Sequence, residues 1–286
     1  MKCLLIKNAD VYAPQPLGIV DILIINDKIA KIGPQLTAPQ GLDCQILDAQ
    51  ERKVVPGYVD QHVHIIGGGG ESGPYSRTPE INLSELTKVG ITTVVGVLGT
   101  DGTSRHNESL LAKARALTHE GITAYMLTGS YEIPLHNMTG DVRRDIILIN
   151  ECLGIGEVAL SDHRSSQPTR EELEKVLTQA RLGGMLSGKA GVVQFHMGVG
   201  KRGMDVLLAI VRETEIPARH FIPTHVNRAF HLFEQAKEFA HLGGYVDITS
   251  GIREQDGFPA CVKPSDAIKI LYEEGVPLDR VTMSSD

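Results

Sequence analysis

Apolar residues in this chain come in short runs, and the rhythm of those runs changes once along its length. Over residues 1–55 the runs follow one another through turns: CLLIKNADVYA, then VDILIINDKIAKIG, whose centre predicts a hairpin turning at Asn26 and Asp27. Helical periodicity is scarce there, so 1–55 reads as a small β domain. Near Val54 the rhythm becomes strand, polar loop, amphipathic helix, repeated. Eight runs predict strands: VVPGYVDQHVH, TTVVGVLGT (92–100), TAYMLTGSY (123–131), GEVALSD (156–162), VVQFHMG (192–198), FIPTHVN (221–227), YVDITS (245–250) and VTMSSD (281–286). Between most of them lie helical stretches such as TREELEKVLTQARLGGML and AFHLFEQAKEFAHLGG, the second stopped by its glycines. This alternation predicts an α/β fold, a (β/α)8 TIM-like barrel over residues 56–286. The eighth strand ends at Asp286 with no helix after it, so the last helix is expected to be missing and the β domain to be partial.

Composition narrows the class. The chain has 286 residues, 42% hydrophobic and 22% charged, as in a soluble globular protein with a sizeable core. A net charge of −7 gives no support for a nucleic-acid partner. No apolar run approaches the ~20 residues of a membrane span, and no signal peptide is visible. Cys3, Cys44, Cys152 and Cys261 are scattered without CxxC spacing, which predicts reduced thiols and a cytoplasmic location.

The chemistry gathers at strand ends, where barrels of this kind place their active sites. His62 and His64 end the first run in HxH spacing, which turns both to one face; His196 ends the fifth run, His225 the sixth and Asp286 the eighth, while Glu157 lies on the fourth. Four imidazoles and two carboxylates suit zinc or a similar divalent ion, and six ligands are enough for two ions. His106, His119, His136, His163, His220, His231 and His241 fall elsewhere and read as loop or helix-surface residues. GGGG at 67–70 lets Glu71 and the loop backbone approach a ligand closely; without GK[ST] it is not a phosphate loop. Ser284 and Ser285 have no histidine base in sequence context, which argues against serine catalysis.

VPGYVDQHVH, the strand-end histidines and the final Asp resemble the amidohydrolase superfamily, and GGGGESGP, SDHRS, FHMG, PTHVNR and SSD resemble its isoaspartyl (β-aspartyl) dipeptidase family over the whole chain. The resemblance implies that His62 and His64 hold one ion and His196 and His225 a second, with Asp286 both a ligand and the proton shuttle. It also implies substrate contacts at Glu71, Thr100, Tyr131, Arg164 and Arg228, a β domain built from both termini, and a homo-oligomer, with an octamer among the sizes it allows. The family usually bridges its two ions with a carboxylated lysine, whereas the matching residue here is Glu157. A glutamate falls short of that reach by roughly 3–4 Å, so the strand must approach, the ions must shift or the bridge is imperfect.

These residues suit an isoaspartyl dipeptide, which carries one α-amine and two carboxylates around its scissile amide. Glu71 complements the ammonium, and Arg164 and Arg228 can each grip a carboxylate. The expected reaction is hydrolysis by a metal-activated hydroxide, with Tyr131 polarising the amide oxygen and Asp286 moving the proton. Two other readings share the pattern: a cyclic-amide hydrolase of the dihydroorotase or hydantoinase type, and an inactive barrel scaffold.

Overall fold

Alternation of buried and open positions along CLLIKNADVY makes β1 (Cys3–Tyr12) the centre of a sheet. In the computed structural model, which describes residues 2–286, it pairs antiparallel with β2 (Pro16–Ile25) and parallel with β4 (Cys44–Asp48) and β5 (Lys53–Val54). β3 (Lys28–Gly33) returns along β2 through the expected turn, where Asn26 takes a φ of 56°. These strands form the first of two compact units, which runs to Tyr58; the second runs from Val59 to Asp286. Cys3 and Cys44 face each other in the β1–β4 register and form a disulfide, correcting the expectation of four free thiols. Their separation of 41 residues hid the pairing from local spacing.

Asp21 anchors this unit from inside. Its carboxylate accepts from Lys7 Nζ (2.5 Å), Asn8 N (3.0 Å) and Leu36 N (2.8 Å). Burial would raise its pKa, but these donors outweigh burial and hold it below the ordinary value. The Asp21 contribution is therefore complete above the unfolded pKa of about 4 and is lost as pH falls below it. Asp21→Asn should cost this unit about 2 kcal/mol at pH 7, read by urea unfolding. The gap to wild type should shrink at pH 3; a gap constant with pH would refute this.

The second unit holds the eight expected strands. β6 (Tyr58–Val63), β7 (Ile91–Gly96), β8 (Thr123–Thr128), β9 (Cys152–Leu160), β10 (Val192–Met197) and β11 (Phe221–Thr224) form one sheet in sequence order, and β7 to β11 pair in parallel. β12 (Val246–Thr249) and β13 (Val281–Ser284) form a separate parallel pair. Single backbone bonds span both gaps, Val226 N to Asp247 O (3.2 Å) and Asp286 N to His62 O (3.1 Å). The ladder is thus a sheet of six and a pair, rather than one continuous eight-stranded sheet.

Helices follow the first seven strands: α1 (Leu83–Thr87), α2 (Asn107–Glu120), α3 (Val142–Leu148), α4 (Arg170–Ser187), α5 (Asp205–Glu213), α6 (Phe230–His241) and α7 (Pro264–Glu273). α4 starts with a capping box, Thr169 accepting from Glu172 N while the Glu172 carboxylate accepts from Thr169 N. Its apolar stripe, Leu173, Val176, Leu177 and Ala180, is buried in the main core with Phe195, Phe221 and Phe239. Each buried side chain of this size contributes roughly 1.5–3 kcal/mol.

Several strands end earlier than their apolar runs. Val97, Leu98 and Val226 lie past β7 and β11 yet are buried, and Val97 N still bonds across to Val63 O (3.1 Å), so the apolar runs outlast the regular ladder. β9 instead begins four residues early, because Gly154 and Gly156 interrupt its pattern. A Cβ at Gly156 would lie 2.9 Å from the Gln194 Cβ, so close strand contact demands glycine. His220 also departs from expectation: it is buried before β11, bonded to the Gly191 carbonyl (2.8 Å) and beside Arg181 (3.0 Å). No helix among the described residues is long and apolar enough to cross a membrane.

Candidate metal centre and active site

The C-terminal ends of the strands bring the predicted cluster together. His62 ends β6 as a fully buried side chain, with His64 just beyond it; their Nε2 atoms lie 3.4 and 3.5 Å from Glu157 Oε1 and 3.4 and 3.2 Å from Asp286 Oδ1. The second Glu157 oxygen, Oε2, lies 3.0 Å from His196 Nδ1 and 3.6 Å from His225 Nε2. One carboxylate thus divides its oxygens between two pairs of histidines.

The register of β9 explains how a glutamate reaches so far. Between the pairs Val193–Ile155 and Phe195–Val158, β9 has two residues, Gly156 and Glu157, opposite the single Gln194. Such a bulge re-aims the extra side chain. The bulge places both Glu157 oxygens among the four histidines.

Neighbouring groups fix the ligand rings. Thr249 Oγ1 lies 2.7 Å from His225 Nδ1, leaving Nε2 for the cluster. His225 itself sits at a φ of 62°, a left-handed conformation rare for histidine. The Asp60 carboxylate accepts from His62 N (3.3 Å) and Ser285 N (3.2 Å), tying β6 to the residue before Asp286. Sequence reading missed Asp60; its signal was an acid two residues ahead of HxH.

The donor set fits a divalent ion. His62 Nε2, His225 Nε2 and Glu157 Oε1 are buried without a hydrogen-bond partner, although each stranded group costs about 1–3 kcal/mol. Two ligands on a tetrahedral ion with bonds near 2.1 Å stand about 3.4 Å apart, close to the 3.2–3.6 Å separations of His62, His64 and His225 from the carboxylates. In two groups, His62–His64–Asp286 and His62–Glu157–His225, three ligand atoms lie within 4.8 Å of one another. His196 belongs to neither: its Nδ1 meets the Tyr131 hydroxyl (2.6 Å) as well as Glu157, and its Nε2 faces Asp162 (3.3 Å), Arg164 (3.0 Å) and Arg228 (3.0 Å).

Charge is strongly coupled here. Burial would lower the His62 pKa, but the Glu157 and Asp286 carboxylates reverse that and raise it well above the ordinary value. Burial pushes His225 down to about 3, leaving it neutral and ready to ligate. Burial would raise Glu157, yet His62 and His196 hold it well below the carboxylate range. Burial and the Glu157 charge push the Tyr131 phenol up, so it stays a hydrogen-bond donor.

Beyond the cluster, two guanidiniums converge on one ring nitrogen. Arg164 is held bidentately by Asp162 (2.9 and 2.9 Å) and also reaches Glu71 (3.1 Å), which accepts from Thr100 Oγ1 (3.2 Å). Asp162 was another omission, two residues before Arg164 in the SDHRS motif. Arg228 pairs with no carboxylate among the described residues, and its buried Nε has no partner. Two adjacent cations, one unpaired, favour an anionic ligand.

The strand ends of the second unit thus gather four histidines with Glu157 and Asp286, a donor set for divalent ions. Comparisons narrow this. No protein-family model matches the chain. A β-aspartyl dipeptidase from the thermophilic, keratin-degrading Fervidobacterium islandicum AW-1 is 46% identical, with a TM-score of 0.92 over 99% of this chain and 76% of its own. The same enzyme in complex with the β-Asp-Leu dipeptide is equally similar, 72% of that chain being covered. A dihydroorotase from Staphylococcus aureus is 35% identical over 132 residues, 43% of this chain but only 30% of that protein's length. The chain belongs to the β-aspartyl dipeptidase family.

Proposed function

We propose that the chain hydrolyses the side-chain amide of isoaspartyl dipeptides with two divalent ions, most simply zinc. In this reading the eight strands close as a (β/α)8 barrel around the cluster. His62, His64 and Asp286 would hold one ion and His196 and His225 the other, and Glu157 would supply carboxylate ligands where the family has a carboxylated lysine. Bound there, such ions would acidify a water and polarise the scissile carbonyl.

The protein groups do the rest. Arg228 receives one substrate carboxylate, and Arg164, braced by Asp162, receives the other. Glu71 and Thr100 take the α-ammonium once Glu71 releases Arg164, so substrate exchanges one ion pair for two. Tyr131, protonated and buried, donates to the oxygen that gains charge as the amide turns tetrahedral. Asp286, about one third exposed at the cluster's rim, accepts a proton from the attacking water and returns it to the leaving amine.

The observation that carries this reading is the convergence of Arg164 and Arg228 beside the orphaned ligand atoms, with Glu71 in reach. It matches the charges of the dipeptide bound by the 46%-identical relative. The test is turnover of β-Asp-Leu, followed by leucine release, against dihydroorotate and a hydantoin. Preference for the dipeptide by at least tenfold in kcat/KM is expected; the reverse preference would hand the site to the cyclic-amide reading.

A further inference from the structure

Glu71 sits in a glycine-rich loop that folds back on 76–78, with Thr78 N donating to the Gly68 carbonyl (3.0 Å) and Gly68 N to Thr78 Oγ1 (2.7 Å). Gly67, Gly69 and Gly70 all have positive φ. A Cβ would lie 2.2 Å from the Thr78 carbonyl oxygen at Gly67 and 2.7 Å from that of Ser76 at Gly69, so the loop folds tightly on itself and tolerates only glycine. Glycine backbone loses the most entropy on ordering, so contacts from outside the loop add to its own bonds in fixing it.

Arg105 supplies such contacts. It lies just before α2 and is only 6% exposed. Its Nη2 donates to the Gly68 carbonyl (2.7 Å) and its Nη1 to the Gly69 carbonyl (3.1 Å). The Asp101 carboxylate stands 3.7 Å from Nη1 and is fixed in turn by Ser104 N (2.7 Å) and Arg77 (3.3 Å). Glu71 follows Gly69 by two residues. A cavity of about 30 Å³, bounded by His64, Gly68, Glu71, Thr100, Arg105 and Tyr131, lies between this loop and the histidine cluster. That is room for one water-sized group such as an ammonium.

We propose that Arg105 is the positioning residue for Glu71: its guanidinium clamps two glycine carbonyls and thereby fixes the carboxylate that receives the substrate α-ammonium. The inference rests on the dipeptidase reading for the identity of that ammonium, but the clamp stands apart from it. Lysine would replace the fork only in part, because an ammonium lacks the planar pair of N–H groups that meets the two carbonyls from separate nitrogens.

The test is a cycle of Arg105→Gln, Glu71→Gln and the double variant, assayed on β-Asp-Leu with metal content measured for each. Arg105→Gln should raise KM at least tenfold while kcat stays within about threefold and metal content is retained. The double variant should have nearly the KM of Glu71→Gln alone, because Arg105 acts through Glu71. Additive effects, or an unchanged KM, would overturn the proposal. Arg105→Lys should fall between wild type and Arg105→Gln, and it decides the matter if the glutamine variant does not fold. Amide hydrogen exchange over residues 67–78, faster by at least tenfold in Arg105→Gln, reads the clamp without substrate. If wild type leaves β-Asp-Leu intact, the dipeptidase reading falls and exchange alone decides: unchanged protection would sink the clamp.

Discussion

Glu157→Ala is expected to lose most of its bound divalent metal and roughly a thousandfold or more in kcat/KM on β-Asp-Leu. The reason is geometric: the buried Glu157 divides its oxygens between the two histidine pairs, 3.4 Å from His62 and 3.0 Å from His196. Removing it leaves the four imidazoles with only Asp286 beside His62 and His64 and Asp162 beside His196. Glu157→Gln should retain the fold and still lose metal, since an amide keeps the volume without the charge. His119→Ala, an exposed change on α2, is the control and should match wild type in both readouts. Metal analysis by plasma mass spectrometry beside steady-state kinetics checks this. Equal behaviour of Glu157→Ala and His119→Ala would remove the cluster from the reaction.

Asp286→Asn should lower kcat by about 10²–10⁴-fold, the range for a lost proton-transfer group, with a much smaller change in KM. The contacts favour an ionised carboxylate. Burial would raise the Asp286 pKa, yet His225, His62 and His64 hold it well below the ordinary range. Asparagine can still occupy the place fixed by the Asp286 N to His62 O bond, so the loss should fall on proton transfer more than on folding. A variant with kcat near wild type would assign the proton to another group. Loss of metal without further loss of rate on reconstitution would make Asp286 a ligand alone.

Both predictions depend on residues that differ in how openly the sequence announces them. His62 and His64 stand out because HxH at the end of an apolar run has few other uses. His196, His225 and Asp286 follow once the barrel rhythm says which runs are strands, since a barrel gathers its strand ends at one face. The role of Glu157 could be stated, but its reach could not. The shortfall against a lysine carbamate was evident from bond lengths, whereas the bulge that places Glu157 among the histidines is a relation between β9 and β10. Arg105, Asp60 and Asp162 were silent for a similar reason. Each acts on a neighbour's backbone or guanidinium, and an isolated arginine or aspartate in a loop carries no periodic signal.

What the sequence determined by itself is what local pattern can encode. Alternation and 3.6-residue periodicity depend on near neighbours, so the hairpin at Asn26–Asp27, the order of strands and helices, and the strand-end histidines were all readable. Only the tertiary structure decided the Cys3–Cys44 disulfide, the burial of His220, the break of the ladder into six strands and two, and the clamp on the glycine loop. Each of these depends on the distance between segments far apart in the chain. Packing sets that distance by summing many weak contacts over the whole core, and no short stretch of residues contains the sum.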